Sequence, residues 1–280
     1  MSLFVCPCCR GGLAKTKNGL VCAAGHNYDL ASEGYVNLLP ANRKNTKAPG
    51  DNSAMVEARR AFLNRGYYGM LKNTLARMVL EKTAGLCHVP VVADAGCGEG
   101  YYTLGVEEAF DSCGRPVSTA GFDISKPAVR QAAKLASKEG RKTEFAVAGV
   151  YDVPLEDECC DVVTNIFAPL CDSEFYRILR SGGWLILIQP GRNHLMGLKE
   201  VLYERPYPNK TKAYSLERFE NRGIDVIHDF ITVEGKEEIR NLFHMTPYYW
   251  RTPPEASKKL DALEKLITEI EFEIHLFCKK

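Results

Sequence analysis

The sequence predicts an α/β protein: a mostly parallel, doubly wound sheet preceded by a small metal-held module. Three observations predict it. From Val91 onward, short apolar β-branched runs alternate with stretches of helical spacing. The first run, Val91-Val92-Ala93-Asp94-Ala95, opens directly into Gly96-Cys97-Gly98-Glu99-Gly100, with glycine at alternate positions. Near the start stand Cys6-Pro7-Cys8-Cys9 and Cys22-Ala23-Ala24-Gly25-His26, two pairs with metal-ligand spacing. A chain of 280 residues has room for one large domain and one small one.

The N-terminal module comes first, over residues 1–40. Cys6 and Cys9 form C-x₂-C, and Cys22 with His26 forms C-x₃-H. Gly11-Gly12 and Asn18-Gly19 supply turns between them. Two knuckles joined by a hairpin bring three thiolates and one imidazole into a tetrahedron suited to Zn²⁺. Four protein ligands leave no open position, so the zinc is expected to be structural and to supply folding energy that so short a segment lacks. Cys8 competes with Cys9, and C-x₂-C is the commoner geometry.

Residues 41–82 follow as a basic linker with helices. Pro40 to Ser53 is rich in proline, asparagine and base, and reads as a loop. Asp51 or Ser53 is expected to cap a helix from Ala54 that Gly66 ends, and a second helix runs roughly from Gly69 to Lys82. Residues 1–77 hold eleven basic and four acidic side chains, net +7, within a chain of net +1. A basic third on an acidic body suits a polyanionic partner or, equally, a solvated surface.

Residues 83–280 form the body. Strands are expected near 91–94, 118–122, 143–147, 161–166 and 184–189, with helices near 101–110, 126–138 and 172–180. Gly223 to Val233 and Glu269 to Cys278 alternate apolar and polar residues and read as two late strands, the last antiparallel, around a helical stretch from Glu255 to Ile267.

The site residues follow from this layout. Asp94 lies two positions before Gly96, and Gly98 and Gly100 continue the series; such a loop turns sharply and lets a ligand approach its backbone. It departs from G-x-G-x-x-G, because Tyr101 stands where that motif wants glycine. Instead it resembles motif I of Rossmann-like S-adenosylmethionine (SAM) methyltransferases. Asp123 ends the second strand, 29 residues beyond Asp94. An acid there can accept both ribose hydroxyls of an adenosine, unless it only caps the next helix, a task Ser125 can fill. The loop after the fourth strand, Asn165-Ile166-Phe167-Ala168-Pro169-Leu170-Cys171, lacks the Asn/Asp-Pro-Pro-aromatic motif of exocyclic amine methylation. It also lacks the Pro-Cys pair of cytosine C5 chemistry. Methylation of a ring nitrogen, or of a small oxygen or nitrogen nucleophile, remains.

Several further segments carry a family resemblance. They are Glu33-Gly34-Tyr35-Val36-Asn37-Leu38-Leu39-Pro40, Pro49-Gly50-Asp51, Ala58-Arg59-Arg60-Ala61-Phe62-Leu63, Gly98-Glu99-Gly100-Tyr101-Tyr102-Thr103, Pro190-Gly191-Arg192-Asn193-His194-Leu195 and Met245-Thr246-Pro247. With the knuckles, the chain resembles the RlmA family of large-subunit (23S) rRNA guanine-N1 methyltransferases over nearly its whole length. The resemblance implies a seven-stranded methyltransferase sheet, zinc on Cys6, Cys9, Cys22 and His26, and SAM contacts from Tyr68, Glu99, Gly100, Tyr101 and His194 besides Asp123. It also implies an rRNA hairpin as substrate and a homodimer whose zinc modules help form an RNA cleft. By themselves Tyr68 would be core packing and His194 a helix-start histidine.

Composition bounds the alternatives. No apolar run approaches 18 residues, so no membrane span is expected, and Met1 to Val5 is too short for a signal peptide. Eleven cysteines, two pairs of them adjacent, suit reduced thiols in a cytoplasm. Two rivals stand beside the rRNA reading. One is a small-molecule methyltransferase of the quinone type, against which the zinc knuckles and basic segment argue. The other is a non-catalytic, zinc-stabilised RNA-binding protein, against which the intact Asp94, Gly96, Gly98, Gly100 and Asp123 argue.

Overall fold

The computed structural model describes residues 1–40 and 50–280. The N-terminal module is a three-stranded antiparallel sheet of β1 (Leu13–Lys15), β2 (Gly19–Cys22) and β3 (Asn27–Asp29), in that order. Its hairpin closes with Thr16 N–H donating to Gly19 O at 2.8 Å. Glycine is required at Gly19, because a Cβ there would strike the carbonyl of Tyr28 across the ladder. The chain then leaves this sheet as β4 (Tyr35–Asn37) and pairs with the body.

Two helices precede the central sheet: α1 (Ser53–Asn64) and α2 (Gly69–Lys82). The cap of α1 is Asn52, whose side chain accepts from Met55 N–H at 3.0 Å, rather than Asp51 or Ser53. An Asn carbonyl satisfies the same orphan N–H, and Asp51 is engaged elsewhere. The body continues as β5 (Val91–Ala95), α3 (Tyr101–Ser112), β6 (Ser118–Asp123), α4 (Lys126–Lys138), β7 (Glu144–Val147), β8 (Cys160–Ile166), α5 (Asp172–Ile178) and β9 (Leu179–Pro190). It ends with α6 (Met196–Leu202), β10 (Phe219–Glu234), α7 (Lys236–His244), α8 (Pro254–Ser257) and β11 (Lys265–Lys279).

The central sheet has eight strands among the described residues, in the order β10-β11-β9-β8-β5-β6-β7-β4. Strands β4 to β9 run parallel, and β11 lies antiparallel to both β9 and β10. The expected count was seven. The eighth is β4, which covers the open edge of β7 with Val36 paired to Ala146. Three residues are too few to show a strand period, so Tyr35 to Asn37 read as part of the zinc module. A second difference lies near the C-terminus. The helix expected over Glu255 to Ile267 is only α8 and a 3₁₀ turn at Lys258–Ala262, and β11 begins at Lys265. Pairing with β10 over its whole length overrides helical spacing there. Helices α6 and α7 were not anticipated.

Strand order places the functional crevice. The chain steps outward from β5 to β6 and β7, then returns to β8 on the other side of β5. Ligands of such sheets bind outside the carboxyl ends at this reversal. The loop after β5 is the glycine loop, and the loop after β8 begins at Phe167. One face of the sheet packs under α2, α3 and α6 around Leu71, Leu75, Phe110, Ile186 and Phe272. On the other face, Phe4, Leu13, Leu20 and Val36 of the N-terminal segment join the cluster of Ala93, Phe122, Val163 and Leu185. The zinc module therefore rests on the body's core. None of the described helices is long and apolar enough to cross a membrane.

Candidate metal centre and cofactor cradle

The two knuckles converge as their spacing demands. Arg10 N–H donates to Cys6 O at 2.8 Å, and Gly25 N–H to Cys22 O at 2.9 Å, closing a tight turn at each pair. The ligand atoms of Cys6, Cys9, Cys22 and His26 lie within 4.8 Å of one another. Neighbouring ligand atoms are 3.3 Å (Cys22 Sγ to His26 Nδ1), 3.5 Å (Cys6 Sγ to His26 Nδ1) and 3.6 Å (Cys9 Sγ to Cys22 Sγ) apart. A tetrahedral zinc with sulfur at about 2.3 Å needs sulfur–sulfur edges of about 3.8 Å, so the set fits Zn²⁺. Cys8 is exposed and takes only a hydroxyl contact from Tyr28 at 3.5 Å. Burial opposes ionisation of Cys6. Hydrogen bonds from the Tyr28 hydroxyl and the N–H groups of Cys9 and Cys8 outweigh it and pull the thiol down to about 6, favouring the thiolate that binds metal.

The cradle starts at Asp94, buried where β5 ends. Its two oxygens accept from Thr103 of α3 at 2.5 Å and Thr164 of β8 at 2.8 Å. Asp94 thus pins three elements beneath the glycine loop. Burial pushes its carboxyl up to about 6, against those two hydrogen bonds. Gly96 sits at φ 85°, and a Cβ on it would overlap the methyl of Ala168 in the loop after β8. Gly98 sits at φ 55° and faces open space, leaving bare backbone toward the crevice. Gly100 is the N-cap residue of α3, which begins with Tyr101.

Asp123 ends β6 against this loop. It accepts from Gly98 N–H at 3.1 Å and Ser125 N–H at 2.7 Å. Ser125 itself caps α4, accepting from Ala128 N–H. Asp123 is therefore free of capping, and each carboxylate oxygen keeps an acceptor position. Burial raises its pKa.

Glu99 is buried, and its Oε2 has no hydrogen-bond partner; the buried hydroxyl of the adjacent Tyr102 region on α3 has none either. Buried polar atoms left open are uncommon in a folded protein, and the Glu99 oxygen beside the glycine loop is a candidate acceptor for a ligand. Burial pushes Glu99 up to about 7, although Arg59 at 3.9 Å pulls the other way. Arg59 reaches in from α1 and pairs with Asp51 at 2.5 Å, while the Asp51 carbonyl accepts from the Ser125 hydroxyl at 2.7 Å. The segments before the sheet are thereby tied to its carboxyl edge. Sequence reasoning offered Asp51 only as a helix cap and Arg59 only as part of the basic segment; their place beside the cradle was not read, although Pro49-Gly50-Asp51 and Ala58-Arg59-Arg60 belong to the family resemblance.

Tyr68 and His194 meet although 126 residues separate them, with Tyr68 Oη and His194 Nε2 3.1 Å apart. His194 Nδ1 accepts from Glu271 N–H at 3.2 Å, so the neutral ring carries its proton on Nε2 and donates it to Tyr68. Burial, helped by the charge of Lys199, pushes His194 down to about 3. The ring is neutral and both its nitrogens are engaged. Tyr101 is half-buried beside Tyr102, with the Lys72 ammonium 5.4 Å from its ring centre. The structure thus gathers Gly96, Gly98, Glu99, Gly100 and Asp123 at one end of the crevice, above Asp94. Tyr68 and His194 form an aromatic wall with Phe272, whose ring lies 4.9 and 4.8 Å from theirs.

The sheet and its glycine loop are those of a Rossmann-like, SAM-dependent methyltransferase, and the Cys/His cluster is that of a structural zinc site. Residues 92–183 match the family described as methyltransferase domain, and residues 4–47 match the zinc ribbon described as RlmA, N-terminal. A 23S rRNA (guanine(748)-N1)-methyltransferase of Streptomyces fradiae is 38% identical over 198 residues, which cover 70% of this chain and 66% of that protein. A Micromonospora griseorubida protein, provisionally named a 23S rRNA (guanine-N1)-methyltransferase, is 32% identical over 284 residues, 94% of this chain and 92% of its own. A Bacillus subtilis (strain 168) protein with the same provisional name is 29% identical over 285 residues, 99% of this chain and 98% of its own. The chain belongs to the RlmA family of 23S rRNA (guanine-N1)-methyltransferases.

Proposed function

We propose that this protein methylates N1 of one guanine in a hairpin of 23S rRNA. The observation that carries this reading is the RlmA-type zinc ribbon joined to a methyltransferase sheet and docked on its core. Neither a quinone-type methyltransferase nor a non-catalytic RNA binder accounts for both parts, since the second leaves the open Asp123 and Glu99 acceptors without purpose.

SAM supplies an electrophilic methyl on sulfonium, open to in-line attack. Asp123 holds the ribose hydroxyls, and Gly98 lets the loop backbone close on the ligand. Glu99, Gly100 and Tyr101 line the same end, and Tyr68 with His194 closes the other. The protein's main contribution is then to fix acceptor and donor in line in a dry crevice. Transfer would leave S-adenosylhomocysteine, and the N1 proton would pass to a carboxylate or water at the crevice. His194 does not accept it, because Nδ1 already takes the Glu271 N–H.

The substrate is a loop guanine splayed from its stack, since N1 is buried in Watson–Crick pairing otherwise. Arg43, Lys44 and Lys47, expected to bind phosphates, lie outside the described residues. We read the 1–40, 41–82 and 83–280 divisions as zinc module, RNA-facing linker and catalytic body. A homodimer is part of this reading: β10 forms the sheet edge and exposes Ile224, Val226 and Phe230, an apolar row costly to leave in water. Work on rRNA and eleven cysteines suit a reducing cytoplasm. Transfer of labelled methyl from SAM to 23S rRNA tests the function, with the base mapped by primer extension, which an N1-methylguanine blocks. Label found only in protein or in small molecules would refute it.

A further inference from the structure

The crevice between β5 and β8 has one wall to which no cofactor contact is assigned. Phe167, the first residue after β8, has φ 54° and its side chain is 44% exposed. Left-handed backbone is costly for a bulky residue, and a large exposed apolar ring gains nothing from water. Glycine would relieve the first cost and a polar residue the second. Both costs at one residue, on the ligand side of the sheet, mark a task other than stability.

The surroundings hold the ring in place. Phe167 N–H donates to Ile188 O of β9 at 3.0 Å. Asn165 Nδ2 spans the loop, donating to Ala95 O at 2.9 Å and Pro169 O at 3.2 Å. Ala168 is seated on Gly96 of the glycine loop. The Phe167 peptide is thus fixed to β9, while its neighbours fix the loop to β5. On its inner side the ring meets Phe272, centroids 5.7 Å apart. Phe272 is fully buried and touches Tyr68 and His194. One aromatic row therefore runs from the buried end of the crevice to the surface, and its last ring is open.

We propose that Phe167 is the platform on which the target base stacks once it has left the RNA helix. This rests on the rRNA reading above. A splayed purine has lost its stacking partners, and an anchored aromatic ring restores one face without occupying its hydrogen-bonding edge. The N1 edge stays free to turn toward the methyl donor, while the Phe167 ring rests on Phe272 with part of its surface open to solvent.

The test uses the full-length protein on a 23S rRNA hairpin fragment. Phe167→Leu keeps apolar bulk but removes the π face, and should lower kcat/KM for RNA roughly ten- to a hundredfold while the SAM Kd stays unchanged. Phe167→Tyr and Phe167→Trp should remain within about threefold of the parent, as stacking tolerates any aromatic. Phe167→Gly should match the leucine variant in activity, with relief of the positive φ offsetting part of the packing it loses on Phe272. With 2-aminopurine at the mapped target position, the parent should quench fluorescence on binding and Phe167→Leu should not. Full activity and full quenching in Phe167→Leu would overturn the proposal while leaving the rRNA reading intact. Loss of SAM affinity in that variant would also overturn it, assigning the ring to the cofactor. A parent protein inert on rRNA would overturn the function and the platform together.

Discussion

The zinc ribbon and the cofactor cradle are both sets of side chains converging on a ligand, but they are assembled over different distances along the chain. The four metal ligands lie between Cys6 and His26, and two local turns suffice to bring them together. The cradle and its wall draw on Asp51, Arg59, Tyr68, the 94–101 loop, Asp123, His194 and Glu271. Only a complete sheet can collect those. The ribbon should therefore depend on its ion, whereas the cradle should depend on the body's core.

Removing the zinc is the severest test of that difference. Cys22→Ser should abolish metal binding and expose the amides of residues 1–30 to hydrogen exchange, since the binding energy of structural zinc is folding energy of order 10 kcal/mol. SAM should still bind. Loss of SAM binding in this variant would show that the docking of Phe4, Leu13, Leu20 and Val36 on the body supports the cradle as well.

The cradle's own electrostatics come next. The folded protein holds the Glu99 proton up to about pH 7, whereas an unfolded chain releases it near 4.5. Between those values the folded state binds more protons at Glu99, in the same sense as Asp94 and against His194, whose lowered pKa acts oppositely below about 6.5. The contribution of Glu99 to stability therefore falls as pH rises through the window. The contribution is on the order of 3 kcal/mol for a group so deeply buried. Glu99→Gln should remove that fall, making the slope of stability against pH more positive in denaturant titrations from pH 5 to 8, and an unaltered slope would show that Glu99 does not titrate differently in the folded protein.

Asp123→Ala tests the ligand side directly. Losing charged hydrogen bonds to the ribose should weaken SAM by about 1.5–3 kcal/mol in calorimetry, with zinc content unchanged. An unchanged Kd would leave Asp123 only as the anchor of Gly98 and Ser125. The smallest effect is expected outside both regions: replacing Arg43, Lys44 and Lys47 by alanine should lower the log–log salt slope of RNA binding by roughly 0.7 per lost phosphate contact, leaving SAM affinity alone. An unchanged slope would reduce that segment to a solubilising linker.

What sequence reading captured follows the same divide. Cys6, Cys9, Cys22 and His26 were legible from spacing, because each turn that joins a pair is local. Asp94, the glycines and the Asp123 strand end were legible because one βαβ unit fixes them relative to one another. The parallel strands from Val91 to Gln189 were legible for the same reason, being long enough to show their apolar runs. The strand Tyr35–Asn37 was not, since three residues carry no period and only the free edge of β7 makes them a strand. The helix expected up to Ile267 yielded to β10, whose ladder spans Lys265 to Lys279.

By itself, then, the sequence determined the Cys/His cluster, the glycine loop, the succession of parallel strands from Val91 and, through its family resemblance, the chemistry. Tertiary structure alone decided that Tyr68 and His194 share a hydrogen bond, that Arg59 pairs with Asp51 and reaches Glu99, that Ser125 frees Asp123 from capping, and that Phe167 stands exposed at a positive φ. The physical reason is range. Turn geometry and chelation act over a few residues and leave a mark in local spacing, whereas burial, unpaired polar atoms and backbone strain arise only when distant segments are packed against one another.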